Sequence, residues 1–160
     1  MDASILVKII ADGLVVPIVI IGAVALLFGV KRGDRFSAYS RILMAGLTAY
    51  LIAKFIGFVY QPAQLRPFEL LGLEPGAAYL DNPGFPSDHM LFVTAIACAV
   101  WAETKMRKIA LLISAMAILV GIGRVAALVH TPLDVIGGAI VALIGALWYC
   151  NGYRVGRRRL

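Results

Sequence analysis

Charge is what this sequence has least of: Asp, Glu, Lys and Arg make up 15% of its 160 residues, against roughly a quarter in an ordinary soluble domain. With 61% of the residues hydrophobic, a 17.2 kDa chain carries more apolar side chain than a globule of that size can cover. A soluble monomer and a disordered tail are therefore excluded. Cysteine is nearly absent: Cys98 and Cys150 lie far apart, each inside an apolar stretch, so neither a disulfide framework nor a metal-binding thiol pair is available. Both are expected to be buried thiols. Histidine is equally scarce, with only His89 and His130 in the whole chain. The net charge of +6 does not mark a nucleic-acid partner, because the basic residues form short clusters between apolar runs. There is no internal repeat and no low-complexity segment.

What remains is an integral membrane protein, a single domain over 1–160. The expected fold is all-α: a polytopic helical bundle of about five transmembrane helices, at about 14–30, 42–60, 88–104, 109–123 and 133–150, preceded by an interfacial helix over 1–12. The apolar centres of the third and fourth runs, Met90–Ala102 and Ile109–Gly123, are short for a hydrocarbon core about 30 Å thick. Polar residues flanking them must then lie at membrane depth, where they tend to be functional. The one long connection, Gln61–Phe85, is rich in Pro and Gly. Five spans place the basic stretches 31–41, 105–108 and 154–159, eleven of the fifteen Lys and Arg residues, on one face. The positive-inside rule makes that face cytoplasmic, together with the C-terminus, and the protein a multi-pass cell (inner) membrane protein.

The opposite, extracytoplasmic face collects Arg66, Ser87, Asp88, His89, Arg124, His130 and Asp134 from three separate connections. Two guanidinium forks match phosphate oxygens, and a helix opening at Ser87 offers unpaired backbone N–H groups to an anion. His130, if neutral, can attack phosphorus while Asp134 fixes its tautomer, and His89 can protonate the leaving oxygen. Other readings stay open. Asp134 lies three residues after Thr131, with Pro132 between, and Ser87 precedes a helix, so both have the pattern of N-terminal caps. Lys54 can snorkel to the interface, Arg66 and Arg124 can anchor it, and two imidazoles with two carboxylates can bind zinc or manganese. Against the metal, the paired arginines favour an anion over a cation. Gly137, Gly138, Ala142 and Gly145 suit close helix packing.

Pro86-Ser87-Asp88-His89, then Gly123-Arg124, His130 and Asp134, with Arg66-Pro67 upstream, resemble the three-part signature of the type 2 phosphatidic acid phosphatase family. The resemblance implies a phosphatase that needs no metal or other cofactor and works through a phosphohistidine. It implies catalytic roles for His130 (nucleophile), Asp134 (its orienting partner) and His89 (general acid). Phosphate-holding roles fall to Arg66, Arg124, Ser87 and Lys54, and Asp88 belongs to the same phosphate-binding set. Three positions depart from the commonest wording of the signature. Asp88 stands where Gly is usual, so its carboxylate must point away from the phosphate, be protonated or serve a special role. Gly123 stands where Ser is usual, and Lys54 precedes Arg66 by 12 positions instead of seven. The size and the Pro-Ser-Asp-His wording are similar to bacterial undecaprenyl-diphosphate phosphatases, which act in cell-wall biogenesis. The expected partners are the bilayer and a lipid phosphate or diphosphate. Undecaprenyl diphosphate is the first choice, phosphatidylglycerophosphate or phosphatidic acid the second. A catalytically silent polyprenyl-phosphate binder or flippase is the competitor from another class.

Overall fold

A computed structural model describes residues 3–62, 65–80, 82 and 84–150. The basic run 154–159 lies outside the described residues. The regular structure of the described residues is all helical: α1 (Ala3–Lys8), a π-helical turn (Ile9–Gly13), α2 (Val15–Gly29), a 3-10 turn (Arg32–Asp34), α3 (Arg35–Val59), α4 (Pro67–Leu71), α5 (Asp88–Glu103), α6 (Arg107–Ala126) and α7 (Pro132–Gly145). No strand occurs among the described residues. Four segments are long and apolar enough to cross a membrane: Ser4–Gly29, Arg32–Val59, Arg107–Ala126 and Pro132–Cys150.

The segment expected as an interfacial helix, 1–12, is helical over its described residues. Residues from Ser4 onward continue through the π turn into α2 as one 26-residue candidate span. The reason is packing: Ala11 is fully buried, and its backbone lies against Gly123 of α6, where a Cβ would stand 2.8 Å from the Ala11 nitrogen. The fourth span also runs further than its apolar centre, reaching Ala126 and carrying Arg124 inside its last turn. The buried-thiol expectation is corrected in part: Cys98 is half-buried, but Cys150 is exposed.

Helix α5 is the hub. At 16 residues it is only about 24 Å long, yet it packs against α2, α3, α6 and α7. Val93 and Val100 on α5 join Ile18, Ile113 and Val120 in a core fully closed to solvent. Small residues bring α7 in close. A Cβ at Gly138 would collide with the Ser87 carbonyl oxygen at the start of α5, and one at Gly145 with the Ala45 carbonyl of α3. At the far end of α5, Arg41 of α3 donates two hydrogen bonds to the buried Glu103 carboxylate, each 2.7 Å. This forked, charge-assisted pair fixes α3 to α5 at the end remote from the histidines.

Three local devices set the opposite end. Ser87 Oγ caps α5 by accepting from the Met90 N–H at 3.5 Å. Thr131 and Asp134 form a reciprocal capping box at the start of α7, with Pro132 as the first helical residue. The Ser87 N–H donates to the Asp134 carbonyl oxygen at 2.9 Å, joining the two helix starts directly.

The Gly138 contact gives a test of this packing. Gly138→Ala should destabilise the protein by about 1–3 kcal/mol, as overpacked cores do, because the added methyl must push α7 off the Ser87 carbonyl. Thermal unfolding in detergent followed by tryptophan fluorescence should show a lower midpoint, and an unchanged midpoint would contradict the contact.

Candidate active site

The start of α5, the end of α6 and the residues Ala78, Tyr79, Leu80, Asn82, Gly84 and Pro86 line a cavity of about 140 Å³. Its walls include Arg66, Asp88, His89, Arg124 and His130. Both histidines and both arginines singled out from the sequence therefore face one space, although they derive from three separate connections.

His130 follows α6 by a short connection in which Leu128 takes a left-handed conformation (φ 59°). A branched side chain rarely adopts that backbone. The turn sends the Leu128 carbonyl to the Phe68 N–H (3.0 Å) and the Val129 carbonyl to Arg66 Nη1 (2.5 Å). His130 itself is 5% exposed, and its Nδ1 stands 3.5 Å from Asp134 Oδ2. Nδ1 makes no hydrogen bond among the described residues, because the short bond to Oδ2 is donated by the Thr131 backbone N–H at 2.7 Å. Asp134 thus closes the capping box and stands behind His130 with the same oxygen. The two readings of Asp134, cap and orienting carboxylate, describe one geometry. Burial holds the His130 imidazolium below its ordinary value of 6.5; the Asp134 carboxylate opposes this, and the Arg124 and Arg66 guanidiniums reinforce it.

Arg66 is buried and spends its guanidinium on the backbone. Besides Val129, it donates through Nη2 to the Leu80 and Asn82 carbonyls, both 3.0 Å, and to Asn82 Oδ1 at 2.9 Å. Tyr79 flanks it, the ring centroid 5.4 Å from Cζ. This differs from an open phosphate fork: a buried guanidinium must satisfy its donors, and the carbonyls of Val129, Leu80 and Asn82 do so. Arg66 therefore ties the long connection to the His130 turn while adding its charge to the cavity.

Arg124 is 1% exposed. Its Nη1 donates to Asp12 Oδ1 at 2.7 Å, and its Nε has no partner among the described residues. Asp12 Oδ1 also stands 3.9 Å from His89 Nε2. Sequence reading missed Asp12, treating it as part of an interfacial segment. An acid inside an otherwise apolar span was the available signal.

Lys54 and Asp88 meet one another. Lys54 Nζ is 3.1 Å from both Asp88 oxygens. The unusual carboxylate of the Pro-Ser-Asp-His stretch is thus neutralised by the lysine, at an adjoining cavity of about 210 Å³ that shares Asn82, Pro86 and Asp88 with the first. Lys54 lines only this second cavity. Gln61 lines it too, with a buried Oε1 that has no partner among the described residues. Ser87 is fully buried, its hydroxyl engaged as the α5 cap.

Gly84 was also not singled out from the sequence. A Cβ there would stand 3.3 Å from Asp134 Oδ2 and 3.4 Å from both Arg66 Nη1 and His130 Nδ1. The backbone at this position thus lies close to all three side chains, with room for a Cβ only at van der Waals contact. Among the described residues, no group of three or more His, Cys, Asp or Glu side chains is placed to hold a metal ion. Two guanidiniums, of Arg66 and Arg124, bring positive charge to the cavity.

The geometry is a cavity edged by two guanidiniums, beside an imidazole backed by a carboxylate. No curated protein and no solved structure matches the chain. The family model of the PAP2 superfamily does match, over residues 38–157, a stretch that contains Arg66, His89, Arg124, His130 and Asp134. With about three quarters of its length so matched, the chain belongs to the PAP2 superfamily, whose members are phosphatases.

Proposed function

We propose that the protein is a metal-independent membrane lipid phosphatase that removes the terminal phosphate of a lipid phosphate or diphosphate through a phosphohistidine on His130. The observation that carries this reading is the single cavity lined by both histidines and both arginines, with Asp134 behind His130 Nδ1. Because Nδ1 faces the carboxylate, Nε2 is the nitrogen left to attack. Its lone pair forms the N–P bond as the P–O bond to the lipid breaks, and His89 gives a proton to the departing oxygen. His89 then takes a proton from water, whose oxygen attacks phosphorus and releases His130. Asp134 stabilises the positive imidazole ring of the phosphorylated state. Arg124 and Arg66 offset the charge on the phosphoryl oxygens in a site screened from water.

The distribution of Lys and Arg supports an active site on the extracytoplasmic face of the cell membrane. The second cavity supports a substrate with another polar group next to the scissile phosphate, since it shares a wall with the first and carries Lys54, Gln61 and Asp88. Undecaprenyl diphosphate and phosphatidylglycerophosphate each have a second phosphate as such a group, whereas phosphatidic acid has only its acyl esters. Undecaprenyl diphosphate is the first choice, which would place the enzyme in carrier-lipid recycling for cell-wall biogenesis. The silent binder or flippase is less favoured, because it has no use for an imidazole backed by a carboxylate.

Phosphate release by the purified protein in EDTA, compared across these three lipids, tests the reading. Release should persist without metal, should be faster from the two lipids with a second polar group, and should vanish in His130→Ala. Activity that requires added metal, or that survives the substitution, would contradict the reading.

The protonation of His130 is separately measurable. Attack needs the neutral ring, and burial lowers its proton affinity, so the ring should lose its proton below pH 6.5 and stay nucleophilic throughout the neutral range. With two histidines in the chain, histidine-selective labelling gives two NMR resonances, which His89→Gln assigns. A His130 midpoint at or above 6.5 would contradict the environment described.

A further inference from the structure

Asp12 lies outside the stretch that carries the family match, yet it makes the shortest side-chain contact to Arg124. We propose that Asp12 is a positioning residue of this active site, holding one arm of Arg124 so that the rest of its fork is presented to the substrate phosphate. The inference rests on the phosphatase reading above.

Three independent features place the carboxylate there. The first span is not a uniform α-helix: Asp12 sits in its single π-helical turn, a local widening that is frequent at functional sites. Gly123, immediately before Arg124, has no side chain where the Ala11 backbone passes, so the first span approaches α6 at this level. The carboxylate is also pinned on its other side, since Oδ2 accepts from the Ala78 N–H at 2.8 Å. Asp12 is therefore held by the backbone and in turn holds a side chain.

The consequence lies in the donors of Arg124. Nη1 is committed to Asp12, while Nε is buried without a partner on a guanidinium that lines the cavity. A fork with one arm fixed and a donor unspent is set to bind a phosphate oxygen without first choosing a rotamer. The alternative role for a carboxylate at this place is competition with the phosphate for Arg124, and it makes the opposite prediction.

Asp12→Asn and Asp12→Glu, in the full chain in detergent, decide the matter. Asn keeps an acceptor for the Ala78 N–H, and Glu keeps the charge. Orthovanadate, a phosphate analogue, serves as the probe; its binding by calorimetry reads the pocket without requiring turnover. Asp12→Asn should weaken orthovanadate binding by about ten- to a hundredfold, the scale expected when a binding group is misplaced by about an ångström. Its kcat/KM for lipid phosphate should fall by a similar factor, and Asp12→Glu should recover part of both. Unchanged binding in Asp12→Asn, even with a lower unfolding midpoint, would make Asp12 a structural pin and overturn the proposal. Tighter binding would overturn it in favour of competition. A wild type that turns over no lipid, with binding still weakened in Asp12→Asn, would support the Asp12 inference and sink the phosphatase reading. A wild type that binds no orthovanadate would sink both.

Discussion

Two buried guanidiniums impose the organising constraint on this protein. Each carries five N–H donors and a permanent charge into a bundle built mostly of Ala, Val, Ile and Leu, where an unsatisfied donor or unpaired charge is costly. The chain answers with main-chain carbonyls for Arg66 and with the Asp12 carboxylate for Arg124. Much of the irregular structure follows from those answers. Leu80 and Asn82 are held where their carbonyls reach Arg66, the residues after α6 turn through a left-handed Leu128 so that the Val129 carbonyl does likewise, and the first span packs on α6 where it delivers Asp12. The polar site is thereby fixed by the same bonds that make its burial tolerable.

The second economy is at the start of α7. A capping box satisfies helix-end groups that would otherwise be unpaired at the level of the site. Here its carboxylate also stands behind His130, and its backbone carbonyl receives the Ser87 N–H from the start of α5. Helix initiation, helix docking and imidazole placement share four residues. The small residues on α7, Gly138 above all, let the two helix starts come within bonding distance. Stability and chemistry are not separable at this end of the bundle, whereas the Arg41–Glu103 pair at the other end serves packing alone.

Sequence spacing exposed the helical membrane fold because apolar runs of bilayer length have few other uses, and it exposed His89, Arg124, His130 and Asp134 because polar residues are rare here. The Thr131–Asp134 cap and the packing role of Gly138 and Gly145 were readable from local chemistry. What was not readable depends on partners distant in sequence. Nothing near Lys54 indicates that its charge meets Asp88, 34 positions away, or that Arg66 is saturated by carbonyls of a loop whose path is set by tertiary contacts. Asp12 was hidden for a related reason: it read as one of two charges in an interfacial segment, while the Gly123 contact that brings that segment against α6 spans more than a hundred residues. Gly84 carries no side chain to notice, and only its position beside Asp134, Arg66 and His130 marks it.

The account turns on covalent chemistry at one ring. Rapid acid-free quenching of a reaction with substrate labelled in its terminal phosphate, followed by peptide mapping under alkaline conditions that preserve phosphohistidine, tests this directly. The account predicts a transient label on His130 that forms and decays at rates compatible with turnover. Hydrolysis with no labelled protein, or a label on any other residue, would contradict it.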